Sequence, residues 1–229
     1  MLEEILQILK ENANVKYKAI YERQGIKGEI LGVPKAVIRK LGNDIKQDHK
    51  LALELWNTNI YDAQILAIML FDNTQFTLEE IKELILSTSS IVVLDELTLT
   101  IFENLYPRID ILDAWKHEKN VYLLRSAWNA AIANVITKVY TPHHFEALLS
   151  NIEKKLLKAD PLVQYAMNRT LVEIGVRYDE YTDRCIQMGE TLGLYKDMKV
   201  AKGCTSAYAP DWISGAKNNR IRNKKTVSE

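Results

Sequence analysis

One rhythm constrains this chain more than any other feature. Every 15 to 25 residues a short polar cap, often followed by proline, opens a new run of helical apolar spacing. Leu2, Ile5, Leu6 and Leu9 follow the i, i+3, i+4, i+7 pattern of one buried helix face. Asp48 precedes LALELW, and Asp62 reads as the opening of AQILAIMLF. Thr77 with Glu80 has the spacing of a capping box. Ser90 precedes IVVLDELTLTIFENL, with Pro107 beyond it. Asp110, Asn120, Thr141-Pro142, Asp160-Pro161 and Asp179 or Glu180 continue the series to about residue 192. Strands have little support. The one β-branched cluster, Val92-Val93-Leu94, lies inside a longer helical pattern.

Such helices, joined by short turns, cannot each bury an apolar stripe alone, so they stack in antiparallel pairs. The expected fold is all-α: a superhelical solenoid of degenerate HEAT-like antiparallel helix pairs, with a compact bundle as the alternative. Residue identity does not repeat cleanly at about 40, the repeat length of such folds. Hydrophobic residues make up 47% of the 229, enough for a sizeable core, while nine Gly and five Pro fall mostly between the periodic runs. The organisation read from this pattern is one helical-repeat domain over residues 1–195, followed by an irregular basic C-terminal segment over 196–229. That segment carries eight Lys and Arg against three Asp and Glu.

The chain carries 30 basic and 30 acidic side chains, so any nucleic-acid binding must rest on a local basic surface. No phosphate-binding G-x-x-x-x-G-K-[ST] or G-x-G-x-x-G loop is present, so no nucleotide cofactor is expected. A metal site is not expected either. His143 and His144 are adjacent, which on a helix sets them about 100° apart, and His49 and His117 stand alone. Cys185 and Cys204 are too few for a disulfide framework, and Cys185 reads as a small core residue. With no signal peptide and no apolar run of spanning length, the expectation is a cytoplasmic protein without membrane contact.

Trp56 and Trp128 lie in apolar helical faces and read as core. Trp115, beside Lys116 and His117 near a helix end, is open to either a packing or a stacking role. Arg125, inside YLLRSAWNAAI, needs a partner or a groove to face. Asn168-Arg169 is a second polar break in an apolar helix. For both, the readings are an interhelical ion pair or a functional surface.

Several segments together resemble the bacterial DNA alkylation repair family, the HEAT-like alkylpurine DNA glycosylases. ILGVPKAVIRKLGNDI and LALELWNTNIYDAQILAIML are similar to its early repeats, and NVYLLRSAWNAAI to its helix with a charged pair facing the DNA. DPLVQYAMNRTLVEIG and GCTSAYAPDWI are similar to the last repeat and closing segment of one branch. The resemblance spans roughly residues 15 to 215. It implies a curved helical array holding duplex DNA, alkylated or structurally unusual, on a basic concave face. It also implies a metal-free reaction, hydrolysis of the N-glycosidic bond of N3- or N7-alkylated purines. A carboxylate would stabilise the cationic sugar, two Trp would contact the backbone at the lesion, and an Arg would contact phosphates.

Carried over by position, the catalytic carboxylate falls on Asp95 and the phosphate-contacting arginine on Arg125, with Asn168 and Arg169 on the DNA-binding side. The two tryptophan positions fall on Ile91 and Arg169. Without those aromatic walls, the stacking that holds a cationic lesion near the carboxylate is weak. The resemblance therefore leads to a DNA-binding helical-repeat protein, either a glycosylase or a catalytically silent binder of DNA structure. A protein-binding scaffold is the rival from a different class.

Overall fold

A computed structural model describes residues 1–88, 90–105, 110–201 and 204–227, with side chains to residue 219. Pro107 lies outside them. The chain divides into two compact units, Met1–Ile109 and Asp110–Glu229, a division that the sequence reading does not make.

The first unit contains α1 (Leu2–Glu11), α2 (Val15–Arg23), α3 (Lys35–Ile45), α4 (His49–Trp56), α5 (Tyr61–Leu70), α6 (Leu78–Ser87) and α7 (Ile91–Asn104). At its centre is α5, buried at every residue except Met69 and packed against α1, α3, α4 and α7. Gly42 of α3 lets it approach closely, since a Cβ there would lie 2.7 Å from the Met69 methyl. Asp48 caps α4 by accepting from Leu51 N–H at 3.0 Å. Thr77 and Glu80 form the capping box of α6. Trp56 is a core residue, its indole N–H donating to Ser87 Oγ at 3.0 Å.

Asp62 does not cap α5. The helix starts at Tyr61, and Asp62 is fully buried within the first turn. Its carboxylate accepts N–H bonds from Leu31 at 2.7 Å, Gly32 at 3.3 Å and Val33 at 2.7 Å. The glycine-rich loop is thereby folded onto α5. Gly32 adopts φ +85°, and a Cβ would sit 2.5 Å from Asn14 O, so only glycine fits. Tyr21 closes the knot. Its hydroxyl donates to Val33 O at 2.9 Å, and its ring packs 5.0 Å from that of Tyr61.

The second unit contains α8 (Ile111–Trp115), α9 (Val121–Ile136), α10 (Pro142–Lys155), α11 (Pro161–Arg177), α12 (Asp179–Leu192) and α13 (Ala209–Val227). Asp110, Asn120 and Asp160 cap α8, α9 and α11 as their spacing predicts. The long pair α9 and α11 forms the spine, with α8 against α9, and with α10, α12 and α13 against α11. Trp128 and Trp115 are each 5% exposed, so both pack rather than stack on a ligand. Cys185 is fully buried in this core, and burial pushes its thiol up to about 12.

The C-terminal segment corrects the sequence reading. Residues 209–227 are helix, not irregular chain. Pro210 and Gly215 mask a narrow apolar stripe, of which Ala209 and Ile213 are buried. That stripe lies on two glycines. A Cβ on Gly175 would come 2.8 Å from Ile213, and one on Gly189 would come 2.8 Å from Pro210. The helix is stabilised by this tertiary seat rather than by its own amphipathic pattern, which is weak. Proline is tolerated at the second position because the first-turn N–H groups have no intrahelical acceptor.

Among the described residues the only extended pairing is an isolated bridge between Glu29 and Ile60. No helix among them is long and apolar enough to cross a membrane, and no group of three His, Cys, Asp or Glu could hold a metal ion.

Candidate nucleic-acid interface

Four half-buried positions of α11 form one line. Tyr165, Arg169, Glu173 and Arg177 follow at i, i+4, i+8 and i+12, and all four are half-buried. At 1.5 Å per residue the line is about 18 Å long. Its opposite side carries Val163 and Met167 into the core. One strongly apolar helix thus holds a single charged ridge at the surface.

Arg125 sits at the N-terminal end of this ridge but is only 3% exposed. Its Nη1 donates to Leu162 O, and its guanidinium lies over the Tyr165 ring, 5.2 Å from the centroid. A cation over an aromatic face is favourable, and more so once water is excluded. The residue therefore ties α9 to the first turn of α11. Asn168 is likewise buried at 1% exposure, and its side-chain amide donates to Ala207 O at 2.8 Å. It fastens the segment leading into α13.

Arg169 behaves differently. Its nearest carboxylate oxygen, on Glu173, is 3.8 Å from Nε, too long for a hydrogen bond. Nε is itself buried and finds no acceptor among the described residues. Glu173 instead accepts from Arg177 Nε at 2.8 Å. Two guanidinium groups thus share one carboxylate, leaving surplus positive charge along the ridge. Planar guanidinium groups match phosphate oxygens in charge and geometry.

Asp95 belongs to the first unit, in the first turns of α7, and is half-buried. Ile91 is the first residue of that helix, also half-buried. Next to Asp95, Glu96 pairs with Lys35 at 3.3 Å, both side chains close to half exposed. Nearby, Tyr61 is 2% exposed and its hydroxyl has no partner among the described residues. Burial first, then Tyr21, Glu96 and Asp62, push its pKa up, so it stays protonated.

Of the four residues singled out from the sequence, Arg125, Asn168 and Arg169 lie in the second unit and Asp95 in the first. Within the second unit, Arg125 meets α11 at Tyr165, one helical turn before Arg169. Sequence reasoning missed Tyr165, Glu173 and Arg177. The signal was available as the i+4 spacing on either side of Arg169.

The arrangement is that of an all-α protein with HEAT-like helical repeats. A solved structure described as "A new family of proteins related to the HEAT-like repeat DNA glycosylases with affinity for branched DNA structures" superposes with a TM-score of 0.80. The match covers 97% of this chain and 94% of that one, at 16% identity, a likeness of fold. The model of the DNA alkylation repair enzyme family matches residues 5–212, and the chain belongs to that family. A comparison with the curated proteins gives no match.

Proposed function

We propose that this protein binds duplex DNA distorted from the linear B-form, branched DNA included, by laying the α11 ridge along phosphates. Arg169 carries the reading. It stands where the resemblance puts a lesion-contacting tryptophan, and it shares the single carboxylate of Glu173 with Arg177, so the ridge keeps a surplus positive charge. A guanidinium in that place serves a phosphate rather than a cationic alkylated base, which it would repel. Ile91 takes away the other aromatic wall. The affinity for branched DNA of the structurally similar protein supports the same reading.

In this reading Arg125 acts from behind, setting the first turn of α11, and Asn168 holds the closing segment in place. Asp95 is the one carboxylate at the family's catalytic position, half-buried on α7. Any base release that persists would depend on it, because a fixed negative charge stabilises a cationic sugar as the bond breaks. The protein would act in the cytoplasm, where DNA is accessible.

The test measures binding and chemistry side by side. The wild type should bind a four-way junction yet release N3- or N7-methylated purine from alkylated duplex no faster than buffer does. Rapid release that is abolished in Asp95→Asn would make the protein a glycosylase. Absence of binding to any DNA would favour the scaffold reading.

A further inference from the structure

The second unit has one short helix where its neighbours are long. α10 and α12 have 14 residues each, whereas α8 has five. Between α8 and α10, over a floor made by α9 and α11, the surface opens into a cavity of about 430 Å³. Its floor is apolar, Leu124, Trp128, Val163 and Met167, and Leu148 of α10 adds to it from the side. A helix as long as α10 in the place of α8 would cover that floor.

The cavity runs along α10 from His144 through Ala147 and Asn151 to Lys155. Eleven steps of helix rise make a groove of about 16 Å, or three turns. Its two ends differ. At one, Asp110 accepts from Tyr140 Oη at 3.3 Å, and Asp113 is paired with Lys116 at 2.6 Å. At the other, Lys155 and Lys158 are exposed and have no carboxylate partner among the described residues. The groove is thus apolar along its length and carries uncompensated positive charge at one end.

Its position separates it from the DNA ridge. Val163 and Met167 line the groove, and Arg169 follows Met167 by two residues, about 200° around α11. Arg169 and the groove lie on opposite sides of the same helix.

We infer that this groove is a docking site for an amphipathic helix of another protein, about three turns long, with an apolar stripe and acidic residues at one end. Such a helix would fill the place left by the short α8, laying its apolar side chains on Leu124, Trp128 and Leu148. Its acidic end would pair with Lys155 and Lys158. Helix-in-groove recognition uses this combination of apolar anchors at helical spacing and charge at the rim. The charge at the basic end selects the partner's sign and polarity. The site would leave the α11 ridge free, so the protein could hold DNA and a partner together.

The test uses the full chain and a displayed library of random peptides about 16 residues long, enough for four helical turns. Peptides selected on the wild type are synthesised and their affinity is measured by fluorescence anisotropy. The expected winners carry apolar residues at i, i+3 or i+4, and i+7, with Asp or Glu clustered at one end. Two variants check the site. Ala147→Trp places a large ring in the groove from an exposed position, and the double variant Lys155→Glu, Lys158→Glu reverses the charged end. Each should weaken peptide binding by about tenfold or more, the scale of a lost anchor, while helical circular dichroism and junction binding stay at wild-type levels. Basic winners, no winners, or winners insensitive to Ala147→Trp would overturn the inference. So would sedimentation showing a dimer that Ala147→Trp dissolves, because the occupant would then be a second copy. Loss of junction binding in Ala147→Trp would also overturn it, by making the groove part of the DNA surface.

Discussion

Among the described residues each unit buries one charged side chain, and the two solve the problem with opposite sign. Asp62 is fully buried in the first unit, Arg125 nearly so in the second. The carboxylate is an acceptor with two oxygens, and it gathers three backbone N–H groups from one loop. The guanidinium is a flat donor, and its contacts include a carbonyl oxygen and an aromatic face. Both charges tie distant chain segments together through backbone or ring contacts. Arg169, half-buried and sharing Glu173 with Arg177, is the contrasting case: a charge the fold compensates only in part. Charges absorbed by the fold serve architecture, and the one left over is the better candidate for a ligand.

The largest effect should come from Asp62. Asp62→Ala leaves three loop N–H groups without their acceptor in a buried setting, which costs roughly 3–5 kcal/mol of unfolding free energy. Urea denaturation of the first unit's transition measures it. A loss below about 1 kcal/mol would mean that the loop is held by other contacts.

Arg125 should come next. Arg125→Ala removes the Leu162 contact and the cation over Tyr165, for a loss of about 2–3 kcal/mol. Arg125→Lys keeps the charge but not the planar fork, and should recover less than half of that. If either variant kept wild-type stability while losing DNA affinity, Arg125 would belong to the DNA surface itself and the contrast with Arg169 would vanish.

These two residues also show how far the sequence could be read. Arg125 announced itself as a charge in the middle of an apolar helix, and its need for a partner followed from local pattern. Asp62 looked like an ordinary helix start because its true partners, residues 31–33, lie about thirty positions upstream, beyond any local periodicity. The caps of α4, α6, α8, α9 and α11 were legible because each is specified within four residues. The last helix was not, because Ala209 and Ile213 make sense only against Gly175 and Gly189 on two other helices. Asn168 and Arg169 stood out together as one polar break. Only the folded chain separates them, burying the amide against Ala207 and leaving the guanidinium half-exposed.

A smaller effect sharpens the same distinction between what the fold consumes and what it leaves. Burial holds the Cys185 thiol protonated, raised to about 12, whereas Cys204 is exposed. Thiolate is the reacting form, so iodoacetamide near neutral pH should label Cys204 and spare Cys185 until the chain unfolds. Mass spectrometry of the native protein that found both labelled at equal rates would show the second unit's core to be open.

The most direct test concerns Arg169. Affinities for a four-way junction and for a linear duplex of equal length are measured from low to moderate salt, in wild type and in Arg169→Ala. The account predicts tighter binding to the junction, steep weakening with salt, and a salt slope in Arg169→Ala smaller by about one phosphate contact, with stability within about 0.5 kcal/mol of wild type. Equal affinity for the two DNAs, or an unchanged salt slope in the variant, would contradict it.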